Sequence, residues 1–204
     1  DSAGILLDRG DAQRAKENVG QIVALIDRMA AIARHLRHVA RKPESPLQDL
    51  PLRPAIDEAL ATVAGRLGAT GAVVSVSLPD DPPPVRAGPV RLQQVLVNVL
   101  SNAADAVEGR DDRRIGISAE VRGQRVLLSV RDHGPGVPPA IADRIFDPFF
   151  TTKPVGSGLG LGLSISYNIL KDFGGELSGT NDPDGGAIFT LDLAAATPAQ
   201  KAAE

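Results

Sequence analysis

Between residues 11 and 41 the chain has no proline and one glycine, Gly20, so a long helix is permitted. Ala15, Val19, Ile22, Ile26, Met29, Ala33, Leu36 and Ala40 follow one another at alternating spacings of 4 and 3, a 3.5-residue repeat. Leu25, Ile32 and Val39 add a third apolar position to each heptad, which favours a multi-helix bundle over a two-stranded coil. The preceding SAGILLDRGD reads as the last turns of another helix ending at Gly10. Residues 1–42 are therefore expected to be a partial helical hairpin that dimerises.

Pro43, Pro46, Pro51 and Pro54 mark a boundary, with room for a short edge strand over 48–52. Beyond it the pattern predicts a helix over 54–67, an alternating strand over 72–78 and a helix over 90–107. A hairpin over 115–121 and 126–130 precedes a loop-rich stretch over 133–160 and a helix over 161–173. A second hairpin, 176–180 and 188–193, turns through NDPDGG. The expected fold class is α+β: a two-layer α/β sandwich whose mixed, mostly antiparallel sheet carries helices on one face, over residues 43–193. The tail, 194–204, is expected to fray.

The helix over 90–107 raises a chemical question. Leu92, Val95, Leu96, Val99, Leu100, Ala103 and Val107 cover most of its circumference, leaving one narrow stripe of Arg91, Gln94, Asn98, Ser101, Asn102 and Asp105. A stripe that merely faced water would favour Lys and Glu, which form helices well, whereas Asn competes for the backbone. Short amides there point to a site.

Composition narrows the chemistry. The chain has no Cys and only three scattered His, His35, His38 and His133, which excludes thiolate zinc sites and leaves oxygen ligands for any metal. The net charge is −3, with residues 1–42 at +3 and the remainder at −6. The basic cluster RHLRHVARK fits a helix C-terminus and has no interleaved aromatics to stack on bases, so nucleic acid is not an expected partner. No apolar run reaches the roughly 20 residues of a membrane span, and a soluble, cytoplasmic chain is expected.

Three further stretches carry chemistry. RDHGPGV follows a strand end and supplies Asp132, Gly134 and Gly136: a carboxylate that can accept from an exocyclic amine, and glycines that admit a flat ring. GSGLGLGLS places Gly156, Gly158, Gly160 and Gly162 at every second position before a helix start, which suits phosphate. It matches neither the P-loop nor the dinucleotide fingerprint. IFDPFFTTK groups Ile145, Phe146, Phe149 and Phe150, which fits either a local satellite cluster of apolar side chains or a mobile lid anchored by its aromatics.

In this order QQVLVNVLSNAADA, RDHGPGV, IFDPFFTTK and GSGLGLGLSIS resemble the N, G1, F and G2 boxes of the histidine-kinase catalytic domain, within the superfamily that includes gyrase-type and heat-shock chaperone ATPases. The resemblance covers residues 45–193 and extends upstream, where ENVGQIVALIDRMAAIARHLRHVAR is similar to the second dimerisation helix of four-carbon-dicarboxylate sensor kinases. It implies that Asn102 binds the Mg2+ that bridges the nucleotide phosphates and that Asn98 faces the same pocket, both in catalytic positions. An amide oxygen suits Mg2+ without adding negative charge beside a polyphosphate. By the same resemblance Asp132 recognises adenine, and Gly134 and Gly136 make room for it. Gly156, Gly158, Leu159, Gly160, Leu161 and Gly162 line the phosphates, and Lys153 reaches the terminal one.

The activity so implied is transfer of the ATP γ-phosphate to a His and onward to an Asp of a response regulator, by a homodimer whose parent protein is membrane-anchored in some members. The family's phosphoacceptor His is followed by an acidic residue, and that pattern has no counterpart here: Leu36 follows His35 and Val39 follows His38. This chain alone is expected to bind ATP and Mg2+ without phosphorylating itself. Two alternatives stand beside this reading: an ATPase of the same superfamily, and a non-catalytic, nucleotide-sensing dimerisation module.

Overall fold

The computed structural model describes residues 46–153 and 159–196, together with residues 16, 18–20, 22 and 23. The latter group is helical, with Val19, Ile22 and Val23 exposed. The remainder of the expected hairpin lies outside the described residues. The fold set out below belongs to the compact unit formed by residues 45–150 and 160–204.

Its elements are β1 (Gln48–Leu50), α1 (Leu52–Thr70), β2 (Val73–Ser77), β3 (Val85–Ala87), α2 (Pro89–Ala106), β4 (Arg114–Arg122), β5 (Arg125–Asp132), α3 (Gly162–Asp172), β6 (Glu176–Asn181) and β7 (Ala187–Ala194). Five strands form one sheet in the order β2-β4-β5-β7-β6, in which β2 runs parallel to β4 and the other pairs are antiparallel. β1 and β3 form a separate antiparallel pair. The predicted two-layer sandwich with a mixed, mostly antiparallel sheet is what the chain builds.

The layers follow from period and register. Along β5, Val126, Leu128, Val130 and Asp132 are buried while Arg125, Leu127, Ser129 and Arg131 are half-exposed, the two-residue alternation of a sheet covered on one face. β7 repeats it with Ala187, Phe189, Leu191 and Leu193. Helix α2 packs on β5 and α3 on β6 and β7, while α1 lies against α2. Leu92, Val95, Leu96, Val99, Leu100 and Ala103 of α2 are almost fully buried, so this helix is the centre of the core.

Several boundaries depart from the sequence reading. α1 begins at Leu52, carries Pro54 in its first turn where no N–H is needed, and runs through Gly65 and Gly68 to Thr70. It stops at Gly71, whose φ of +68° lets its N–H donate to Gly68 and that of Ala72 to Leu67. β3 was not expected, being only three residues long. A 3-10 helix, Pro139–Arg144, occupies part of the expected loop. The tail does not fray at Ala194: Ala195 donates to the Gln124 carbonyl, Ala196 donates to that of Pro84, and Val85 bridges Ala195. Among the described residues no helix is long and apolar enough to cross a membrane.

Candidate functional site

The polar stripe of α2 is neither in water nor in the core: Arg91, Gln94, Asn98, Ser101, Asn102 and Asp105 are all half-buried. Its ends hold the neighbouring helices. Arg91 pairs with Asp172 at the end of α3 and lies 5.5 Å from the Phe173 ring centroid, and Asp105 pairs with Arg66 of α1. In the middle, the Asn98 amide nitrogen donates to the Gly162 carbonyl and to Ser166 Oγ, both at 3.2 Å. Asn102 follows one turn later, about 6 Å along the axis.

Asp132 ends β5 in the inward register, and the pleat alone therefore carries a carboxylate to the helix side of the sheet. It is 2% exposed. Burial pushes its carboxyl above the ordinary value, against the pull of two backbone donors, Gly134 N–H at 2.9 Å and Ala187 N–H at 3.3 Å, with the charge of His133 a lesser influence in the same direction. Both donors meet Oδ1. Oδ2 accepts from no described group and has acceptor capacity to spare.

The loop after Asp132 is clamped. Asn181 at the end of β6 accepts the Val137 N–H and donates to the Val137 carbonyl, each at 2.7 Å, a side-chain imitation of a strand ladder. A Cβ on Gly134 would lie 2.7 Å from the Ala106 carbonyl oxygen, and one on Gly136, whose φ is +73°, would lie 2.9 Å from Asn181 Oδ1. These two glycines were expected to make room for a ring. Their immediate reason is internal: they let the loop lie against the end of α2 and against β6.

The segment IFDPFFTTK divides. Ile145 and Phe146 pack on the core, Ile145 seated at Gly179, where a Cβ would come within 3.0 Å of it, and Phe146 ring-to-ring with Tyr167 at 5.3 Å. Phe150 lies beneath Arg144, 4.6 Å from the guanidinium carbon. Phe149 departs from the expected aromatic anchor. It is 48% exposed and takes a φ of +66°, unusual for a side chain of its size, with its N–H donating to the Gly160 carbonyl at 3.0 Å.

Of the glycine run, Gly156 and Gly158 lie outside the described residues. Gly160 has a φ of +64° and backs directly onto the Phe149–Phe150 peptide, where a Cβ would overlap the Phe150 carbonyl. Leu161 is 5% exposed, an apolar peg at the helix threshold, and Gly162 opens α3. The first-turn N–H groups that follow have no intrahelical acceptor, a ready-made anion site. Lys153, whose N–H donates to Thr151 Oγ1, and Leu159 belong to the 151–159 segment, outside the compact unit. No group of three or more His, Cys, Asp or Glu among the described residues could hold a metal. A cation here would rest on amide oxygens and on the ligand's own phosphates, which suits the stripe of α2.

Residues 87–197 match the family of histidine kinase-, DNA gyrase B- and HSP90-like ATPases. The chain belongs to this ATPase family. The C4-dicarboxylate transport sensor protein DctB of Pseudomonas aeruginosa is 40% identical over 199 residues, which is 97% of this chain and 32% of that protein. The chain thus spans about a third of that relative. Among solved structures, the catalytic domain of the histidine kinase ThkA superposes with a TM-score of 0.64 at 28% identity, covering 73% of this chain and 95% of that one. Full-length ShkA, solved in complex with AMPPNP, gives 0.69 at 25% identity, covering 93% of this chain and 39% of that one.

Within this ATPase fold, sequence reasoning missed three participants: Ala187, whose N–H meets Asp132, and the clamps Asn181 and Ser166. Asn181 carried a faint signal, an Asn at a strand end before a glycine turn. Ser166 carried none, because its partner lies 68 residues away.

Proposed function

We propose that this chain is the ATP-binding catalytic part of a two-component sensor histidine kinase, in which residues 43–193 bind Mg-ATP and residues 1–42 belong to the dimerisation hairpin. The observation that carries the reading is Asp132. A carboxylate this deeply buried, with one oxygen held by backbone donors and the other left for a donor, matches the exocyclic amine of adenine. The complex of ShkA with AMPPNP is of the same ligand class.

Asp132 would orient the base, Asn98 and Asn102 would face the phosphates, and Asn102 would supply an amide oxygen to Mg2+. The start of α3, with Gly160 and Gly162, would receive phosphate oxygens. When bound, Mg2+ neutralises charge on the phosphoryl group during transfer. The chain's own residues position the nucleotide and exclude water from it, and the receiving His and the response-regulator Asp are supplied by partners of this domain.

Calorimetric titration with AMPPNP, with and without Mg2+, on the wild type and on Asn102→Ala tests the reading. Binding that weakens without Mg2+ and in the variant supports it. No binding by the wild type under either condition overturns it in favour of a degenerate scaffold that no longer takes nucleotide, and rapid steady-state ATP hydrolysis overturns it in favour of an ATPase.

A further inference from the structure

Asn98 is fixed by groups that can only accept. The Gly162 carbonyl has no proton to give, and Ser166 gives its single hydroxyl proton to that same carbonyl at 2.9 Å. Both lie 3.2 Å from the same end of the Asn98 amide, and that end must be the NH2 group. Flipping the amide would set its oxygen against the Gly162 carbonyl with no hydrogen between them, and its contact with Ser166 could be kept only by taking the hydroxyl proton away from that same carbonyl. The helix-to-helix contact therefore decides which atom of Asn98 is turned away from α3: the carbonyl oxygen, which no described group donates to.

We infer that Ser166 is a positioning residue, which aims the Asn98 carbonyl oxygen at the metal and phosphate side of the nucleotide pocket by holding its NH2 group on α3. The inference rests on the nucleotide reading above. Ser166 is 0% exposed, so it cannot itself touch a ligand and acts only through Asn98 and Gly162. Gly162 belongs to the arrangement through its carbonyl, which accepts from both Asn98 and Ser166. The contact also couples the α2 stripe to the start of α3, so the two halves of the phosphate site share one hydrogen-bonded node. A free amide would sample both orientations, one of which presents N–H donors to a cation and is useless to it.

The test uses the full chain. AMPPNP is titrated with saturating Mg2+ and with chelator, in the wild type and in Ser166→Ala. The side-chain NH2 of Asn98 is followed by NMR without ligand. Ser166→Ala is expected to lower the Mg2+-dependent affinity by about 3- to 10-fold, the usual worth of one hydrogen bond. Metal-free affinity stays within about twofold. The wild-type Asn98 NH2 protons are expected to exchange slowly with solvent and to lose that protection in the variant.

Equal losses with and without Mg2+ would make Ser166 an ordinary packing residue and overturn the inference, as would no loss in either. Fast-exchanging Asn98 NH2 protons in the wild type would overturn it without reference to any variant, should Ser166→Ala fail to fold. Failure of the nucleotide reading is distinguishable, since it shows in the wild type as no AMPPNP binding at all.

Discussion

Gly186 lies against Asp132 so closely that a single added methyl would overlap the Asp132 carbonyl oxygen and come within 3.0 Å of the His133 Cα. The backbone of the closing turn, with Gly186 at a φ of +90°, is thus part of the wall behind the buried carboxylate. Gly186→Ala is expected to destabilise the domain by about 3 kcal/mol or more, combining overlap with left-handed strain. Gly109→Ala, at a φ of +70° with nothing within 4 Å, carries the strain alone and costs about 1–2 kcal/mol. Urea unfolding of both variants checks the ranking, and equal losses would mean the turn is free to move away.

Asp132 opposes stability at neutral pH. Its carboxyl is raised above the ordinary 3.8 by burial, so on raising the pH the unfolded chain ionises it first. The stabilising contribution of the neutral acid is complete below 3.8 and is lost as pH climbs through the raised folded value. An Asn retains an acceptor oxygen for Gly134 and Ala187 and carries no charge. Asp132→Asn is therefore expected to be more stable than the wild type at pH 7. The gain vanishes below pH 3.8, and AMPPNP binding is lost at every pH. Thermal melts at pH 3 and pH 7 beside the titration decide it, and a variant less stable at pH 7 contradicts the sign.

Asn181 is expected to act on the nucleotide without touching it. Removing its side chain deletes both 2.7 Å bonds to Val137 and releases the loop that carries Gly134 and Gly136. Asn181→Ala should cost about 1–3 kcal/mol of local stability. Val137 N–H protection in hydrogen exchange should collapse while the β7 amides keep theirs. AMPPNP affinity should fall with it, and retention of full affinity would show that the loop needs no clamp.

Neither His35 nor His38 is followed by a carboxylate that could assist proton removal, and His133 donates or accepts through Nδ1 with the Arg114 carbonyl at 3.0 Å. Incubation with Mg-ATP is expected to leave no acid-labile phosphate on this chain. Labelling abolished by His35→Ala or His38→Ala would place the acceptor in the basic helix end.

Much of this was legible because it rests on local period. The two-residue alternation of β5 places Asp132 on the inner face, and the heptad-like stripe of α2 isolates Asn98 and Asn102, before any tertiary contact is known. What stayed hidden depends on distance in sequence. β3 is too short to show a pattern and exists because β1 pairs with it. The exposure of Phe149 goes with a left-handed backbone and a bond to the Gly160 carbonyl, neither of which composition encodes. The glycines of RDHGPGV were assigned to a ligand when the nearer claimants were Ala106 and Asn181, an ambiguity inherent in reading small residues without their neighbours.

The bond from Phe149 N–H to the Gly160 carbonyl has an evolutionary consequence. It brings residues 149 and 160 together whatever chain joins them. The closure entropy of such a loop grows only with the logarithm of its length, so doubling it costs about 0.6 kcal/mol. Insertions and deletions in 151–159 are therefore nearly free for the sheet and helices. Lineages can retune the length of this segment without disturbing the packing of the sheet and helices.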